Sequence, residues 1–183
     1  MSPRPSAPAA PTEDTAARLG VPALFVEPSP ALPMVGVSFA LTRGAALDPP
    51  GKEGATRLMA RLLRRTGGNR TATESDELID SLGGSLAVEA TSSTVGVHGH
   101  VITRSLERFT RVIEEVVQAP TFREDEFRLL LRETEGELIE ALDDDRTLAR
   151  RWFRRRLFAG HPYGRPTSGT PESLRRIALD DLE

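Results

Sequence analysis

Apolar residues along this chain recur first at strand spacing, then at helical spacing, return briefly to alternation, and finish as helices. Residues 23–27 and 34–41 are rich in β-formers and bounded by prolines, which predicts two strands separated by the turn region Pro28 to Pro33. A loop follows from Arg43 to Gly51. From Gly54 the period lengthens: Ala55, Leu58, Met59, Leu62 and Leu63 share one face of a helix that Thr66-Gly67-Gly68 stops. A second helix is expected from Thr73, with its hydroxyl as N-cap and Asp76 as the acid of an approximate capping box. Leu78, Ile79 and Leu82 form its apolar face, and Gly83-Gly84 ends it. Leu86–Glu89 and Val95–Val101 alternate apolar with small polar residues, the pattern of an antiparallel hairpin. A third helix over about 104–118 buries Leu106, Phe109, Val112, Ile113, Val116 and Val117. After Pro120-Thr121-Phe122 comes a long helical region, 123–158, which Gly136 or the run Asp143 to Asp145 kinks or divides. A tight turn at His161-Pro162-Tyr163-Gly164 and a short helix capped by Thr170, with Pro171 in its first turn, complete the pattern.

Strands, then helices, a hairpin and more helices predict an α+β fold, a largely antiparallel sheet packed against helices. The 183 residues suffice for one domain with a substantial core. Residues 1–19, rich in Pro, Ala and Ser near the start, read as a disordered lead-in, and residues 20–183 as the folded domain. Net charge of −3 gives no general pull toward nucleic acid or an anionic membrane. The absence of cysteine excludes disulfides and thiolate chemistry but does not choose between cytoplasm and periplasm. No apolar run is long enough to span a bilayer.

Candidate chemistry is sparse. His98 and His100 are two apart on a predicted strand and share a face, without a nearby carboxylate to complete a metal set. His161 belongs to a turn and reads as structural. Arg150, Arg151, Arg154, Arg155 and Arg156 surround Trp152 and Phe153, a combination that nucleic-acid binders use. The preceding Asp143–Asp145 run and the helical spacing favour a solvated charged face with Trp152, Phe153 and Leu157 in the core. No nucleophile elbow or phosphate loop is present.

Several phrases stand in order along the chain. They run from Phe39 to Pro50 (FALTRGAALDPP), Gly54 to Leu63 (GATRLMARLL) and Ile79 to Leu86 (IDSLGGSL). Pro120-Thr121-Phe122, Leu157 to Gly164 (LFAGHPYG) and Gly169 to Leu174 (GTPESL) continue the match over nearly all of residues 20–183. Together these phrases resemble the insulinase/pitrilysin family of zinc metallopeptidases, which includes the mitochondrial processing peptidases, and the resemblance implies a processing-peptidase-like domain. Active members carry His-x-x-Glu-His on the helix after the first strands: the two imidazoles bind zinc and the Glu deprotonates the metal-bound water. In this chain the matching positions are Arg57, Ala60 and Arg61, and counting to the family's third ligand lands near Leu138, beside Glu137. Guanidinium holds its proton and offers no lone pair, so zinc hydrolysis is not expected at this site and no cofactor is expected in the chain. Two readings of the arginines remain. Either they replace the metal's charge and pair with Glu137, Glu133 or Glu140, or they lie on a solvated face; the small worth of exposed ion pairs favours the second.

The resemblance further implies a non-catalytic subunit or domain that pairs with a zinc-bearing homologue or second peptidase-like domain, in which the zinc resides. Together the two enclose a chamber for an extended peptide, which an exposed sheet edge can receive by strand addition. An active peptidase with an atypical site and a purely structural core subunit are the alternatives. Family domains continue past the last helix into another strand and helix, which implies truncation at the C-terminal end, an open edge, and self-association in isolation.

Overall fold

The computed structural model describes residues 23–29, 31–66 and 70–182, the side chain of Thr66 excepted. The lead-in expected over 1–19 lies outside the described residues, as do Gly67 and Gly68. The chain divides into two units, Met1–Pro33 and Met34–Glu183. In the first, residues 23–29 carry no regular structure, and Leu24, Phe25 and Val26 are exposed. The strand expected at 23–27 is therefore not formed. β-formers make a strand only where a neighbouring edge accepts their backbone hydrogen bonds, and residues 23–29 enter no ladder.

The second unit contains three strands and six α-helices among its described residues. β1 (Met34–Leu41), β2 (Gly84–Ala90) and β3 (Val95–Ile102) form one sheet in the order β1-β3-β2, both pairings antiparallel. Val88 sits opposite Val97, and Phe39 opposite the same Val97 from the other side. α1 (Ala55–Thr66), α2 (Ala72–Ser81) and α3 (Leu106–Gln118) cover one face. α4 (Glu124–Glu140), α5 (Asp145–Leu157) and the short α6 (Pro171–Leu174) follow. The opposite sheet face carries small and polar side chains: Gly36, Ser38 and Ala40 from β1, Ser85 and Ala87 from β2, His98 and His100 from β3.

α2 starts two residues earlier than its sequence suggested. Thr71 is the N-cap: its hydroxyl accepts from the Glu74 N–H at 3.2 Å, while Glu74 accepts from the Thr71 N–H at 2.8 Å. Thr71-Ala72-Thr73-Glu74 places the longer acid at the third position, where it reaches back; Asp76 instead takes an ion pair with Arg64 at 2.5 Å. The long helical region breaks at the acidic run and not at Gly136. Asp144 caps α5, accepting from the Arg146 N–H at 3.0 Å, whereas α4 runs unbroken through Gly136.

Two apolar clusters hold the unit together. One lies between the sheet and α1–α3 and includes Ala60, Ile79, Leu86, Val97, Val101 and Phe109. Gly99 admits the Phe109 ring against β3: a Cβ there would lie 2.6 Å from Phe109 Cζ and 2.5 Å from the Ser85 carbonyl oxygen. The other joins α1 to α4, α6 and the final turn through Leu58, Leu62, Phe127, Leu130, Leu174 and Leu182. α1 belongs to both. Its N-terminus is anchored by the buried Asp48, whose carboxylate accepts from the N–H groups of Gly54 (2.8 Å) and Thr56 (3.1 Å), where the helix dipole favours a negative charge.

Candidate functional site

α1 and α4 lie side by side, each with one flank in the second core and the adjacent flank at the surface. On α1 the helical period turns Leu58 and Leu62 inward and brings Arg57, Arg61 and Arg65 toward α4. On α4 Leu130 and Leu138 are buried, which puts Glu133 and Glu137 on the flank facing α1. Arg61 grips Glu137 with both nitrogens, Nη2 to Oε1 at 2.7 Å and Nη1 to Oε2 at 3.1 Å. Its Nη1 also donates to the Thr134 hydroxyl at 3.0 Å, and that hydroxyl donates to the Leu130 carbonyl at 2.8 Å. Arg57 reaches the same Glu137 at 3.5 Å. One turn further along, Arg65 pairs with Glu133 and lies 3.7 Å from Glu126. The structure thus joins both arginines of the motif positions to carboxylates, the reading that the weakness of exposed ion pairs disfavoured. Glu140 forms no ion pair with either arginine among the described residues.

Ala60, where the resemblance places the catalytic base, is 1% exposed and packs in the first core. Leu138, counted as the neighbourhood of the third ligand, points into the second core; its neighbour Glu137 is the residue that meets Arg57 and Arg61. Zinc does not fit this set. The only lone-pair donor among the four positions is Glu137, and it is engaged by two permanent cations. Among the described residues no group of three or more His, Asp or Glu is placed to hold a metal ion.

Arg57, Ala60, Arg61 and Glu137 form one wall of a cleft of about 460 Å³, which Val88, Glu89 and Ala90 of β2 and Thr167 complete. β2 is an outer strand of the described sheet. Its free edge follows from the ladder: Thr91 N–H donates to the Thr94 carbonyl at 2.8 Å, so the alternation of antiparallel pairs points the backbone groups of Leu86, Val88 and Ala90 away from β3. Arg64 Nε confirms the phase by donating to the Leu86 carbonyl at 2.7 Å. Val88 and Ala90 therefore present backbone donors and acceptors along the cleft beside the arginine pair.

The remaining candidates separate from this site. His98 and His100 do lie on the open sheet face, but each is tied to a serine. Ser38 Oγ and His98 Nδ1 share a hydrogen bond of 2.9 Å, and Ser85 Oγ and His100 Nδ1 one of 2.8 Å. The His98 ring lies over Gly96, away from His100. His161 accepts from the Tyr163 N–H at 3.2 Å and meets the Tyr163 ring edge-on, with 4.9 Å between centroids, the structural role its turn implied. The expectation of a buried apolar stripe on α5 fails: Trp152, Phe153 and Leu157 are 63%, 68% and 60% exposed, and α5 buries no residue. Among the described elements α5 packs chiefly on the 162–164 turn, so helical periodicity had no second surface to face.

The described unit thus combines an α+β fold, a helix pair joined through Arg57, Arg61 and Glu137, and an outer strand that opens on the same cleft. The sequence matches the family Insulinase (Peptidase family M16) over residues 26–171, and the chain belongs to that family. It is similar to the "non-peptidase homolog YmxG" of Helicobacter pylori, 23% identical over 163 residues, covering 89% of this chain and 38% of that protein. An "uncharacterized zinc protease" of Rickettsia bellii is also 23% identical, over 146 residues, covering 80% of this chain and 35% of that protein. The chain therefore spans little more than a third of the length of these relatives. Among solved structures, the fold matches a peptidase M16 inactive domain from Pseudomonas fluorescens with a TM-score of 0.80 and 20% identity, covering 84% of this chain and 38% of that one. A protease from Helicobacter pylori matches with a TM-score of 0.73 and 18% identity, covering 82% of this chain and 37% of that one.

Proposed function

We propose that this chain is a non-catalytic insulinase-family domain that pairs with a zinc-bearing homologue and helps to form its peptide-binding chamber. The observation that carries the proposal is the engagement of Arg57 and Arg61 with Glu137. Fixed guanidinium groups supply positive charge where the resemblance places the metal, without a lone pair to bind it or a base to activate water. A scaffold kept in order around a site without hydrolytic groups suits binding. The outward backbone groups of Val88 and Ala90 would receive an extended peptide as an added strand along the same cleft. Pairing with a second domain of the same kind is common in this family, and it would bring zinc, general base and leaving-group chemistry from the partner. The names of the Helicobacter YmxG protein and of the Pseudomonas domain support a non-peptidase member of this type.

The test is zinc content and peptidase activity of the purified chain, alone and mixed with a homologue that carries an intact His-x-x-Glu-His. Activity that appears or rises only in the mixture is the expected result. Stoichiometric zinc or peptide cleavage by this chain alone overturns the reading.

A further inference from the structure

Between Arg146 and Arg176 lie nine arginines and one glutamate, a net of +8 in a chain whose total is −3. The rest of the chain is correspondingly acidic. The arginines of α1 are neutralised, since Arg57, Arg61, Arg64 and Arg65 each lie within salt-bridge distance of a carboxylate. Those of α5 are not. Among the described residues none of its six arginines makes an ion pair. The capping carboxylate of Asp144 accepts from the Arg146 N–H and the Thr147 hydroxyl, and Arg150 acts on it through charge alone, without an ion pair.

These charges converge. Arg150, Arg151, Arg154, Arg155 and Arg165 line one cleft of about 470 Å³. Two of them are fixed in place by neutral acceptors. Arg154 donates to the Tyr163 carbonyl at 2.8 Å, and Arg165 donates to the carbonyls of Asp48 (2.7 Å) and Ala46 (3.3 Å). Carbonyl oxygens orient a guanidinium but leave its full charge uncompensated. Arg155 rests on the Trp152 ring, 5.5 Å from its centroid. Arg150 and Arg151 have no side-chain hydrogen bond among the described residues, so their forks are open to an incoming anion. Leu138 and Ala141 add apolar surface and Thr147 and Ser168 add hydroxyls. The single carboxylate in the lining, Glu53, is turned to its own turn, accepting from the Gly51 N–H at 3.2 Å.

We propose that this cleft binds an acidic stretch of polypeptide, with Arg150 and Arg151 as the forks for its side-chain carboxylates. Bidentate guanidinium–carboxylate geometry suits Asp and Glu side chains, and the apolar lining suits their stems and the intervening residues. Nucleic acid is the poorer fit. No aromatic side chain lines the cleft to stack a base, and a long polyanion would meet the acidic remainder of the chain. Thr167 lines both this cleft and the one beside β2, so the two are contiguous. The inference stands without a zinc-bearing partner, because it needs only this chain.

The experiment titrates the full chain into a fluorescein-labelled peptide of alternating Glu and Ala, read by anisotropy at low and high salt. Intrinsic emission of Trp152, the sole tryptophan, gives a second readout beside the cleft. A Lys/Ala peptide and an oligo-dT strand are the comparison ligands. The acidic peptide is expected to bind best and to weaken as salt rises, and the double variant R150Q/R151Q to lose affinity by about tenfold or more. Arg111→Gln, on the exposed face of α3, is expected to leave binding unchanged. Circular dichroism checks each variant; should the double variant lose the native spectrum, Arg150→Gln alone carries the comparison, with a smaller weakening expected. No binding of the acidic peptide, equal binding of the Lys/Ala peptide, tighter binding of oligo-dT, or wild-type affinity in a folded arginine variant overturns the proposal.

Discussion

Glu137→Ala leaves two guanidinium groups facing each other without their shared carboxylate, and its cost can be bounded from the structure. The Arg61–Glu137 contacts of 2.7 and 3.1 Å form a fork, and the side chains are 25% and 42% exposed, so solvent screens the pair in part. Two unit charges about 4 Å apart at an effective dielectric near 20 attract by roughly 4 kcal/mol, before desolvation and side-chain ordering are subtracted. Measured exposed pairs retain about 0.2–1 kcal/mol of this. Fork geometry and the Thr134 hydrogen bond place the Arg61–Glu137 coupling near the upper end, about 1 kcal/mol. Glu137→Ala also removes the carboxylate from Arg57, while Glu133 remains 3.7 Å from Arg61 and limits the damage. A total loss of roughly 1–2 kcal/mol is expected for Glu137→Ala and under about 0.5 kcal/mol for Arg57→Ala. Urea unfolding followed by circular dichroism, for Arg61→Ala, Glu137→Ala and the double variant, gives the coupling directly. Repeating the cycle in high salt should shrink it. A low-salt coupling below about 0.3 kcal/mol, or Arg57→Ala costing more than Glu137→Ala, would refute the view that the guanidinium groups hold this site together.

Three further outcomes follow from the geometry. The triple variant R57H/A60E/R61H, with Glu137 as third donor, should retain zinc through gel filtration while losing thermal stability, because Ala60 is buried and the new carboxylate enters a packed core; a folded triple variant without zinc removes Glu137 from the third-ligand role. Asp125, gripped by Arg123 at 2.7 and 3.1 Å, is held down to about 2 from an ordinary 3.8, so its contribution to folding is fully present above the ordinary value and is lost as pH falls toward 2; an NMR titration of its carboxyl carbon with a midpoint near the ordinary value contradicts this. Gly99→Ala forces a methyl group against Phe109 and the Ser85 carbonyl and should cost about 1–3 kcal/mol in urea unfolding, and an unchanged midpoint would show that the Phe109 packing is loose.

Local signals in the sequence located most of the second unit. The periodicity of α1 and α3, the β2–β3 hairpin and the Thr170 cap with Pro171 all needed only neighbours along the chain. Thr71 as the α2 cap was equally local: the acid three residues on is Glu74, long enough to reach back, and that spacing was the available signal. Three features were not local. Residues 23–27 had strand composition but enter no ladder. Trp152, Phe153 and Leu157 had helical spacing but stay exposed among the described residues. The choice between a solvated and a paired Arg61 depended on which flank of α4 faces α1, and buried Leu130 and Leu138 settle that by turning Glu133 and Glu137 the other way. The family phrases raised the pairing of Arg57 and Arg61 with Glu137 as one of two readings, and the structure shows that contact.

α1 contributes Ala60 to the apolar cluster beneath the sheet and Leu58 and Leu62 to the cluster against α4 and α6, with Met59 packed on both. A helix shared in this way couples the two clusters, since neither can come apart while the helix keeps its place in the other. The segment that bears Arg57 and Arg61 should therefore be among the last to exchange its amide protons, opening only with the whole unit. A binding cleft built on such a segment is stiff from the outset, so a ligand that lies along it has little ordering cost to overcome on the protein side.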